Sequence, residues 1–411
     1  MELTGTGGPV NLTPTTDPWA LKIERSARSN FEGFNAITSD TDAVLIDKSN
    51  RIIFSGPSTL ATPRYTIVSA GDTAVHIRSK SRVTLGAIAM SDSGIGLSLE
   101  NDGGRRPRVV AEGVAFTNNE IAGKLTGGRT YCKPKKGPSL DILGDFNLSW
   151  LNYVMNNVEG FLLSGSAILN IDHTVMGGNL HRVPSYRSTG YLFELNEASR
   201  LVGRNLAVYN NDMDPNAGIS TAWSTCVGPC INTPGKILHH ETCDEAIFES
   251  SSFVDNQTDL VFHLDYASGA GSGRLTLDHV MVANSWGKVL SESSFFSTST
   301  GCAAVNSIDS YLWDNRVDVD PASCMPADLT NTWDPLVVST GAPASLSSLP
   351  DIPTPLTSLY LMTSLEPTPG YPHQPDLYKP TSTRNWTVDG TTIDDLSEAV
   401  PALDVGYHNP M

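Results

Sequence analysis

A short pattern of two strands joined by a two-residue corner recurs through most of the chain. In residues 275–284 (LTLDHVMVAN), apolar side chains alternate at Leu275 and Leu277, two polar residues interrupt, and alternation resumes at Val280 before a closing Asn284. Alternation with a period of two is typical of a strand with one buried face. The pattern therefore predicts two short strands that bend into one another at the corner. Similar segments begin at residues 83, 109, 169, 201 and 246, and looser ones at residues 153 and 311.

These segments recur at unequal distances, which indicates units that stack like on like with loops of different lengths inserted between them. An antiparallel sandwich would place Asn-Gly or Asp-Gly pairs between neighbouring strands. The two such pairs, Asp102-Gly103 and Asp389-Gly390, lie away from the repeated segments. We predict an all-β chain whose residues 41–330 form a single-stranded, right-handed parallel β-helix, a solenoid with inserted loops. The Asn or Asp that closes each segment is expected to form a ladder of amide hydrogen bonds between coils.

The two ends of the chain lack the repeated pattern. Residues 331–411 form a proline-rich C-terminal segment, with ten prolines between positions 333 and 380, and proline cannot donate to a strand ladder. We expect this segment to pack on the solenoid or to cap it, because an exposed end of a stack needs a cover. Residues 1–40 are expected to form the cap or entry segment at the other end, with an amphipathic element at residues 19–23.

The chain is strongly acidic, with 27 Lys and Arg against 44 Asp and Glu and a formal net charge of −17. Such a charge opposes binding to phosphate backbones and to anionic membranes, so we expect no nucleic-acid partner. A basic cluster at Arg129, Lys133, Lys135 and Lys136 is interpreted as a solvated loop, with the binding of an anionic ligand as the alternative. No stretch approaches the ~18 apolar residues that a membrane helix needs, so no transmembrane segment is expected.

Six cysteines favour disulfides in an oxidising compartment. Local spacing favours the pairs Cys226–Cys230 and Cys302–Cys324, although the sequence alone does not fix the connectivity. The first residues lack the apolar core of a signal peptide. We therefore expect a secreted or cell-surface protein whose export signal is absent from this sequence.

The segments 109–118, 201–210 and 275–284 resemble those of bacterial right-handed parallel β-helix repeat proteins, the pectate-lyase-like solenoids, over about residues 40–330. The ending at residues 404–410 (DVGYHNP) is similar to the Asp-Ile-Gly-Tyr-His-Tyr-Pro tail of many secreted members, with Asn409 where Tyr is commoner. That group includes polysaccharide lyases, glycoside hydrolases, phage tailspikes and adhesins. The resemblance thus implies a fold and export, and no single reaction.

Outward residues at the corners would stack into one column along an edge of the solenoid. The corner pairs are, in order, Gly86-Ala87, Glu112-Gly113, Asp172-His173, Arg204-Asn205, Glu249-Ser250 and Asp278-His279. One interpretation is a catalytic or binding groove for sugars, with the Asp-His pairs and Glu249 as acid–base groups and Arg204 binding a uronate carboxylate. The simpler interpretation is a solvated corner with opposite charges on neighbouring coils. Residues 171–173 are also similar to the strand-ending Asp-His of pectate lyases, but the later Asp, Lys and Arg pattern of those enzymes is not recognisable.

Aromatic residues in or beside the inserted loops are candidates for carbohydrate binding, because sugar rings stack on aromatic faces. The candidates are Trp150, Tyr186, Tyr191, Trp223 and Trp286. The alternative is that these rings pack the loops onto the body of the protein.

Metal-binding patterns are sparse. The chain has two pairs of alternating carboxylates before a proline: Asp212 with Asp214, and Asp318 with Asp320. Calcium takes six to eight oxygen ligands, so each pair is a minimal motif that is also common in plain turns. Calcium is the one cofactor candidate, and the fold requires none. His239 and His240 are adjacent, so on a strand their rings face opposite ways, which favours a structural role.

Three functions are compatible with these features. The first is a secreted or cell-surface protein that binds glycans or other surface polymers, in an adhesin, spike or sheath-like role, because no complete catalytic signature is present. The second is a polysaccharide lyase or glycoside hydrolase acting in a groove on the parallel sheet. The third is a trimeric assembly like a phage tailspike, since parallel β-helices often associate side by side into homo-oligomers.

Overall fold

The computed structural model describes the following residues: 2–4, 10–12, 18–56, 58–59, 62–63, 65–101, 106–128, 137–144, 152–179, 190–209, 211, 213, 235–249, 251–254, 256, 258, 260–264, 274–278, 280–283, 288–292, 305–308, 311–313, 317–319, 387–388 and 391–392. Within these ranges the regular secondary structure is entirely strand. The described residues accordingly contain no apolar helix of the length that a membrane crossing requires.

The first strands in chain order are β1 (Glu2–Thr4), β2 (Val10–Leu12), β3 (Trp19–Glu24), β4 (Ala27–Glu32), β5 (Phe34–Ser39), β6 (Asp42–Asp47), β7 (Asn50–Ser55), β8 (Ser58–Thr59), β9 (Thr62–Pro63), β10 (Thr66–Ala70), β11 (Thr73–Arg78) and β12 (Arg82–Gly86). The next are β13 (Ile88–Ser91), β14 (Ile95–Glu100), β15 (Arg108–Glu112), β16 (Ala115–Thr117), β17 (Ile121–Thr126), β18 (Ser139–Leu143), β19 (Asn152–Met155), β20 (Glu159–Ser164), β21 (Ile168–Gly177), β22 (Tyr191–Glu197), β23 (Arg200–Tyr209) and β24 (Lys236–Thr242). The last are β25 (Glu245–Glu249), β26 (Ser252–Val254), β27 (Leu260–Leu264), β28 (Arg274–Asp278), β29 (Met281–Ala283), β30 (Lys288–Glu292), β31 (Val305–Ile308), β32 (Tyr311–Trp313), β33 (Val317–Val319), β34 (Thr387–Val388) and β35 (Thr391–Thr392).

Apart from β8, β9, β34 and β35, the strands occupy three places in turn, which we call columns A, B and C. Column A holds β1, β4, β7, β12, β15, β18, β25, β28, β31 and the first halves of β21 and β23. Column B holds β2, β5, β10, β13, β16, β19, β26, β29, β32 and the second halves of β21 and β23. Column C holds β3, β6, β11, β14, β17, β20, β22, β24, β27, β30 and β33.

Each circuit of the chain through columns A, B and C pairs in parallel with the circuits before and after it. Columns A and B form one sheet of the described residues, joined by the continuous strands β21 and β23, and column C forms a second. The predicted all-β fold with parallel strands is confirmed. Stacking of this kind places like positions of successive circuits about 4.8 Å apart, which is compatible with a parallel β-helix.

Inward side chains form continuous apolar rows between the columns. In column C one such row runs through Ile46, Ile77, Leu99, Leu125, Leu163, Leu195, His240 and Leu264. All these side chains are buried, and a fully buried Leu or Ile contributes about 1.5–3 kcal/mol. Phenylalanines extend the core: the rings of Phe161 and Phe193 stack 6.2 Å apart. The core is therefore built from contacts between neighbouring circuits.

The corner between columns A and B is made by residues in the left-handed backbone region. Ala87, Gly113, His173 and Asn205 have φ between 45° and 56°, and each is the second residue of a predicted corner pair. One left-handed residue reverses the alternation of side chains and turns the strand direction. This explains why the alternation of apolar and polar residues in the sequence is interrupted for two residues at each corner.

The corner between columns B and C contains a ladder of buried asparagines, which we call the asparagine ladder: Asn119, Asn157, Asn179, Asn211 and Asn256. Each Nδ2 donates to the Oδ1 of the next at 2.8–3.1 Å. The prediction of such a ladder was one residue out, because it used the closing residues such as Asn118 and Asn156. Those two are exposed, with φ of 57°, and they form the bend before the ladder residue.

Parallel pairing begins earlier in the chain than residue 41. Strand β1 pairs with β4, and β3 pairs with β6, so the segment expected as a cap contributes strands to the stack. The amphipathic element expected at residues 19–23 lies in β3. Toward the C-terminus, the predicted Pro-rich segment lies almost wholly outside the described residues. Its strands β34 and β35 pair antiparallel, Thr387 with Thr392 and Val388 with Thr391.

Candidate functional site

The predicted column of corner residues exists as a row in register on column A. Gly86 pairs with Glu112, Asp172 with Arg204, Arg204 with Glu249, and Glu249 with Asp278. The two Asp-His pairs are therefore three circuits apart, at about 4.8 Å for each circuit. They do not form one catalytic couple.

Asp172 is held by its corner neighbours. Its Oδ1 lies 2.8 Å from His173 Nδ1 and accepts hydrogen bonds from His173 N at 2.9 Å and Asn205 Nδ2 at 3.1 Å. Burial by itself would raise the pKa of Asp172, but these hydrogen bonds and the His173 charge outweigh it and leave that pKa below its ordinary value. A carboxylate fixed in this way stabilises the left-handed bend at His173.

The charges beyond Asp172 are paired between circuits. The Arg204 guanidinium bonds the Glu249 carboxylate on the next circuit, and this contact raises the pKa of Arg204. His173 is 3% exposed, and its ring lies against the Asp172 carboxylate. The row thus matches the simpler interpretation, a corner with opposite charges on neighbouring circuits. Asp278 continues the row, and His279 lies outside the described residues.

A second set of ionisable side chains lies on the outward face of column C. Three are the first residues of successive column C strands, and two are the fourth residues of β24 and β27. We call this set the outer cluster: Glu159, Tyr191, Lys236, His239 and His263. Tyr191 pairs with Lys236, and His239 pairs with His263, so the register of the sheet alone brings them together.

Four side chains of the outer cluster contact one another in sequence, and the fifth, Glu159, bonds a backbone group. Lys236 Nζ lies 4.9 Å from the centre of the Tyr191 ring, a cation–π distance. The Tyr191 and His239 rings are 4.7 Å apart, and the His239 and His263 rings stack at 5.8 Å. Glu159 Oε1 accepts a hydrogen bond from Gly190 N at 3.1 Å. The cluster thus combines a carboxylate, a phenol, an ammonium and two imidazoles.

These groups are buried although they face outward from the sheet. Glu159 is 1% exposed, Tyr191 3%, Lys236 5% and His239 8%, and Lys and Glu are rarely buried to this extent unless they are paired. The two long connections at residues 178–190 and 210–235 both rejoin the sheet here, at Tyr191 and Lys236. The outer cluster therefore lies where these two long connections return to column C.

No protein family, curated protein or solved structure matches this chain.

Of the residues proposed from the sequence for carbohydrate binding, only Tyr191 lies in the described part of the chain. Tyr191 is 3% exposed, with Lys236 Nζ over its ring, and its role in carbohydrate binding stays a prediction. Trp150, Tyr186, Trp223 and Trp286 lie outside the described residues. So do Cys226, Cys230, Cys302 and Cys324 of the predicted disulfides.

The calcium prediction is not tested by the described residues. Asp212, Asp214 and Asp320 lie outside them, and Asp318 is placed only as a backbone position in β33. Within the described residues, no group of three or more His, Cys, Asp or Glu side chains is arranged to hold a metal. The adjacent histidines face opposite ways, as predicted: His240 points into the core and His239 into the outer cluster.

Sequence reasoning missed Glu159, Lys236 and His263 as members of one site. They are spread over more than 100 positions, and no local motif contains two of them. The signal that finds them is register, since they stand at the first or fourth residue of column C strands. That signal becomes visible only after the pairing of the strands is known.

Proposed function

We propose that this protein is an exported right-handed parallel β-helix that binds polysaccharide or another surface polymer at the outer cluster of column C. The observation that carries the proposal is the burial of Glu159, Tyr191, Lys236 and His239 together on an outward sheet face. Membership of the bacterial β-helix repeat group is part of the same proposal, and it rests on the repeated segments.

The fold does not require these residue types at these positions. Earlier circuits carry Thr73, Ile95 and Ile121 at the first position of the column C strand, in register with Glu159. Ionisable side chains that the strands themselves do not need, gathered on a few circuits, are typical of a functional site.

The chemistry of the outer cluster suits a polyhydroxylated ligand. The Lys236 ammonium supplies three donors and the Glu159 carboxylate accepts hydrogen bonds, while each histidine can do either. Tyr191 adds a phenol hydroxyl, while its ring is covered by Lys236. Sugars need this mixture of donors and acceptors, and binding pockets generally place a few convergent polar groups among less polar ones.

The test compares two lysines on the same face of the same sheet. Lys236→Met should weaken binding to a retained polysaccharide at least tenfold, because a buried donor is lost, and Tyr191→Phe should weaken it less. Lys124→Met removes an exposed lysine of column C and should leave binding unchanged. Affinity is measured against a panel of neutral and acidic polysaccharides, with circular dichroism to establish folding.

Loss of stability without any change in polymer affinity in folded Lys236→Met and Glu159→Gln would show that the outer cluster is only structural.

Polysaccharide cleavage is a second candidate function, favoured by a further carboxylate beside the outer cluster, Glu194, which pairs with His239. Glu159 and Glu194 lie on adjacent circuits of column C, and Glu194 Oε1 accepts a hydrogen bond from Asn196 Nδ2 at 2.8 Å. Glycoside hydrolysis uses two carboxyl groups, one to protonate the leaving oxygen and one to activate water or attack the sugar. Release of reducing ends that is abolished by Glu159→Gln and retained by Asp172→Ala would establish this function.

A further inference from the structure

Basic side chains gather at one corner of the fold, where column C leads into column A. They belong to the junctions β3–β4, β6–β7, β11–β12 and β14–β15, on four successive circuits. We call this set the basic corner: Arg25, Arg28, Lys48, Arg51, Lys80, Arg82, Arg106 and Arg108. Only 27 Lys and Arg occur in the whole chain, whose net charge is −17. The basic corner is therefore a local reversal of the charge of the molecule.

Backbone hydrogen bonds set the register of this corner. Asn50 N donates to Ser26 O, Arg82 N to Ser49 O, and Arg108 N to Ser81 O, at 2.8–2.9 Å. Arg82 pairs directly with Arg108 across the sheet. The residues that precede the serines fall into one further row: Arg25, Lys48, Lys80 and, at the equivalent place in the next circuit, Arg106. The backbone positions of these basic residues thus follow one another from circuit to circuit at about 4.8 Å.

Arg28 and Arg51 lie at matching places of neighbouring strands, both in the left-handed region, with φ of 56° and 57°. Arg51 forms a bulge against the next circuit, because the pairing steps from Asn50 with Arg82 to Ile52 with Val83. A bulge directs its extra side chain away from the regular ladder.

Buried hydroxyl groups hold the corner in place beneath these charges. Ser26 N donates to Ser49 Oγ at 3.1 Å, and Ser49 N donates to Ser81 Oγ at 3.2 Å. Ser49 and Ser81 are fully buried. The basic residues therefore project from a fixed backbone, which lowers the entropy cost of binding a ligand.

Most of the basic side chains are free to meet a ligand. All are exposed except Arg106, which is partly exposed. Burial, followed by the charge of Arg108, lowers the pKa of Arg106. Among the described residues only Lys48 of the basic corner has a carboxylate within 4.0 Å, with its Nζ 3.4 Å from Asp47 Oδ2.

The nearest row of carboxylates, at the end of column C, is already engaged. Glu24 bonds Lys22 at 3.2 Å, and Glu100 lies 3.5 Å from Arg78. The charges of Arg25 and Lys48 also act on Glu24 and lower its pKa, after the larger effect of Lys22. The other cations of the corner have no ion pair within the described residues. Like charges in close register repel one another, and a polyanion along the row would reverse that repulsion.

We propose that the basic corner binds an acidic polysaccharide, whose carboxylate or sulfate groups lie along the rows of Arg and Lys. The site is separate from the outer cluster and goes beyond the function proposed for it. Arginine favours this ligand class, since its guanidinium binds carboxylate and sulfate in a bidentate geometry.

An acidic polysaccharide suits the corner better than a nucleic acid. The rest of the molecule is strongly negative, and the high charge density of a nucleic acid increases its repulsion by that surface. Aromatic side chains on which bases could stack are absent from the four junctions of the basic corner.

The experiment measures retention and affinity on heparin and on polygalacturonate, with dextran as a neutral polymer and single-stranded DNA as a competing polyanion. We expect binding to the two acidic polysaccharides, weakening with salt, and none to dextran. Arg82→Gln with Arg108→Gln should reduce affinity at least tenfold. Lys124→Gln with Arg274→Gln removes two exposed cations elsewhere and the same net charge, and should change affinity less than twofold.

Equal losses of polysaccharide affinity in the two double variants would show that the binding depends only on net charge and would overturn the proposal. Absence of binding by the wild-type protein would overturn it as well. Tighter binding to DNA than to either polysaccharide would overturn the choice of ligand. If polymer affinity does not respond to Lys236→Met while heparin affinity still falls in Arg82→Gln with Arg108→Gln, the outer cluster fails as a polymer site and the basic corner stands.

Discussion

At the residue scale, single side chains decide how the stack responds to its surroundings. His240 occupies a row of Ile and Leu, between Leu195 and Leu264 on the adjacent circuits. Burial lowers the pKa of His240 to about 4, against the opposing effect of hydrogen bonds to the backbone. The imidazole is therefore neutral in the folded protein at pH values where the unfolded chain binds a proton.

This arrangement predicts an acid sensitivity with a defined sign. Between the ordinary pKa of 6.5 and the folded value of about 4, only the unfolded state takes up the proton, so stability falls as the pH falls. The loss amounts to roughly 3 kcal/mol by pH 4. His240→Leu should flatten this part of the curve of unfolding free energy against pH, measured by denaturant titration.

Above pH 7.5 the curves of unfolding free energy against pH should have the same slope in the wild type and in His240→Leu, because histidine is then neutral in both the folded and the unfolded state. An unchanged acid slope in His240→Leu would assign the sensitivity to other groups.

At the element scale, the corners contribute as much to the fold as the strands do. In two neighbouring circuits an exposed asparagine in the left-handed region, Asn118 or Asn156, is followed by a buried one, Asn119 or Asn157. The Asn157 side chain makes several hydrogen bonds. Its Oδ1 accepts one from Asn119 Nδ2, and its Nδ2 donates to Phe116 O and to Asn179 Oδ1. Adjacent residues of one type thus have different energetic roles.

Substitution of these two asparagines should separate the roles. Asn157→Ala leaves buried carbonyl and amide groups without partners on both sides, at about 1–3 kcal/mol for each group, so we expect a loss of at least 3 kcal/mol. Asn156→Gly keeps the left-handed bend, which glycine adopts readily, and should change stability by less than about 1 kcal/mol. Chemical denaturation with circular dichroism gives both values. Similar losses in the two variants would contradict the assignment of the ladder to Asn157.

At the scale of the whole molecule, each circuit of the described residues pairs with the circuits before and after it, as the units of a repeat protein do. Stability in such proteins is close to a sum over circuits and the interfaces between them. The parallel sheets of the described residues carry the outer cluster on one face and the basic corner on an edge, so the two proposed binding regions occupy different circuits of one scaffold.

Hydrogen exchange should reveal this organisation directly. Amides in the middle circuits, such as those of β17 and β20, are bonded to circuits on both sides and should exchange slowest. Amides of β1 and β33 pair on one side only within the described residues and should exchange fastest, because local opening costs least at the ends. Uniform protection along the stack, measured by mass spectrometry, would argue for a single all-or-none unit.

The sequence by itself determined the repeated pattern of two short strands joined by a two-residue corner. Apolar alternation with a two-residue break predicted the paired strands at residues 275–284 and 109–118 and the row of corner residues through Asp172 and Arg204, because both follow from the chemistry of neighbouring residues. The ladder was placed one residue early for a similar reason. Both asparagines of a pair are polar, and only the turn geometry decides which one is buried.

The tertiary structure decided where the candidate sites lie. Glu159, Tyr191 and Lys236 meet because three column C strands begin at the same height, and Arg82 meets Arg108 because two circuits are in register. The loops between them vary in length, so separation along the chain carries no information on which residues become neighbours. Local sequence sets the shape of each circuit, and the hydrogen bonds between circuits set which side chains act together.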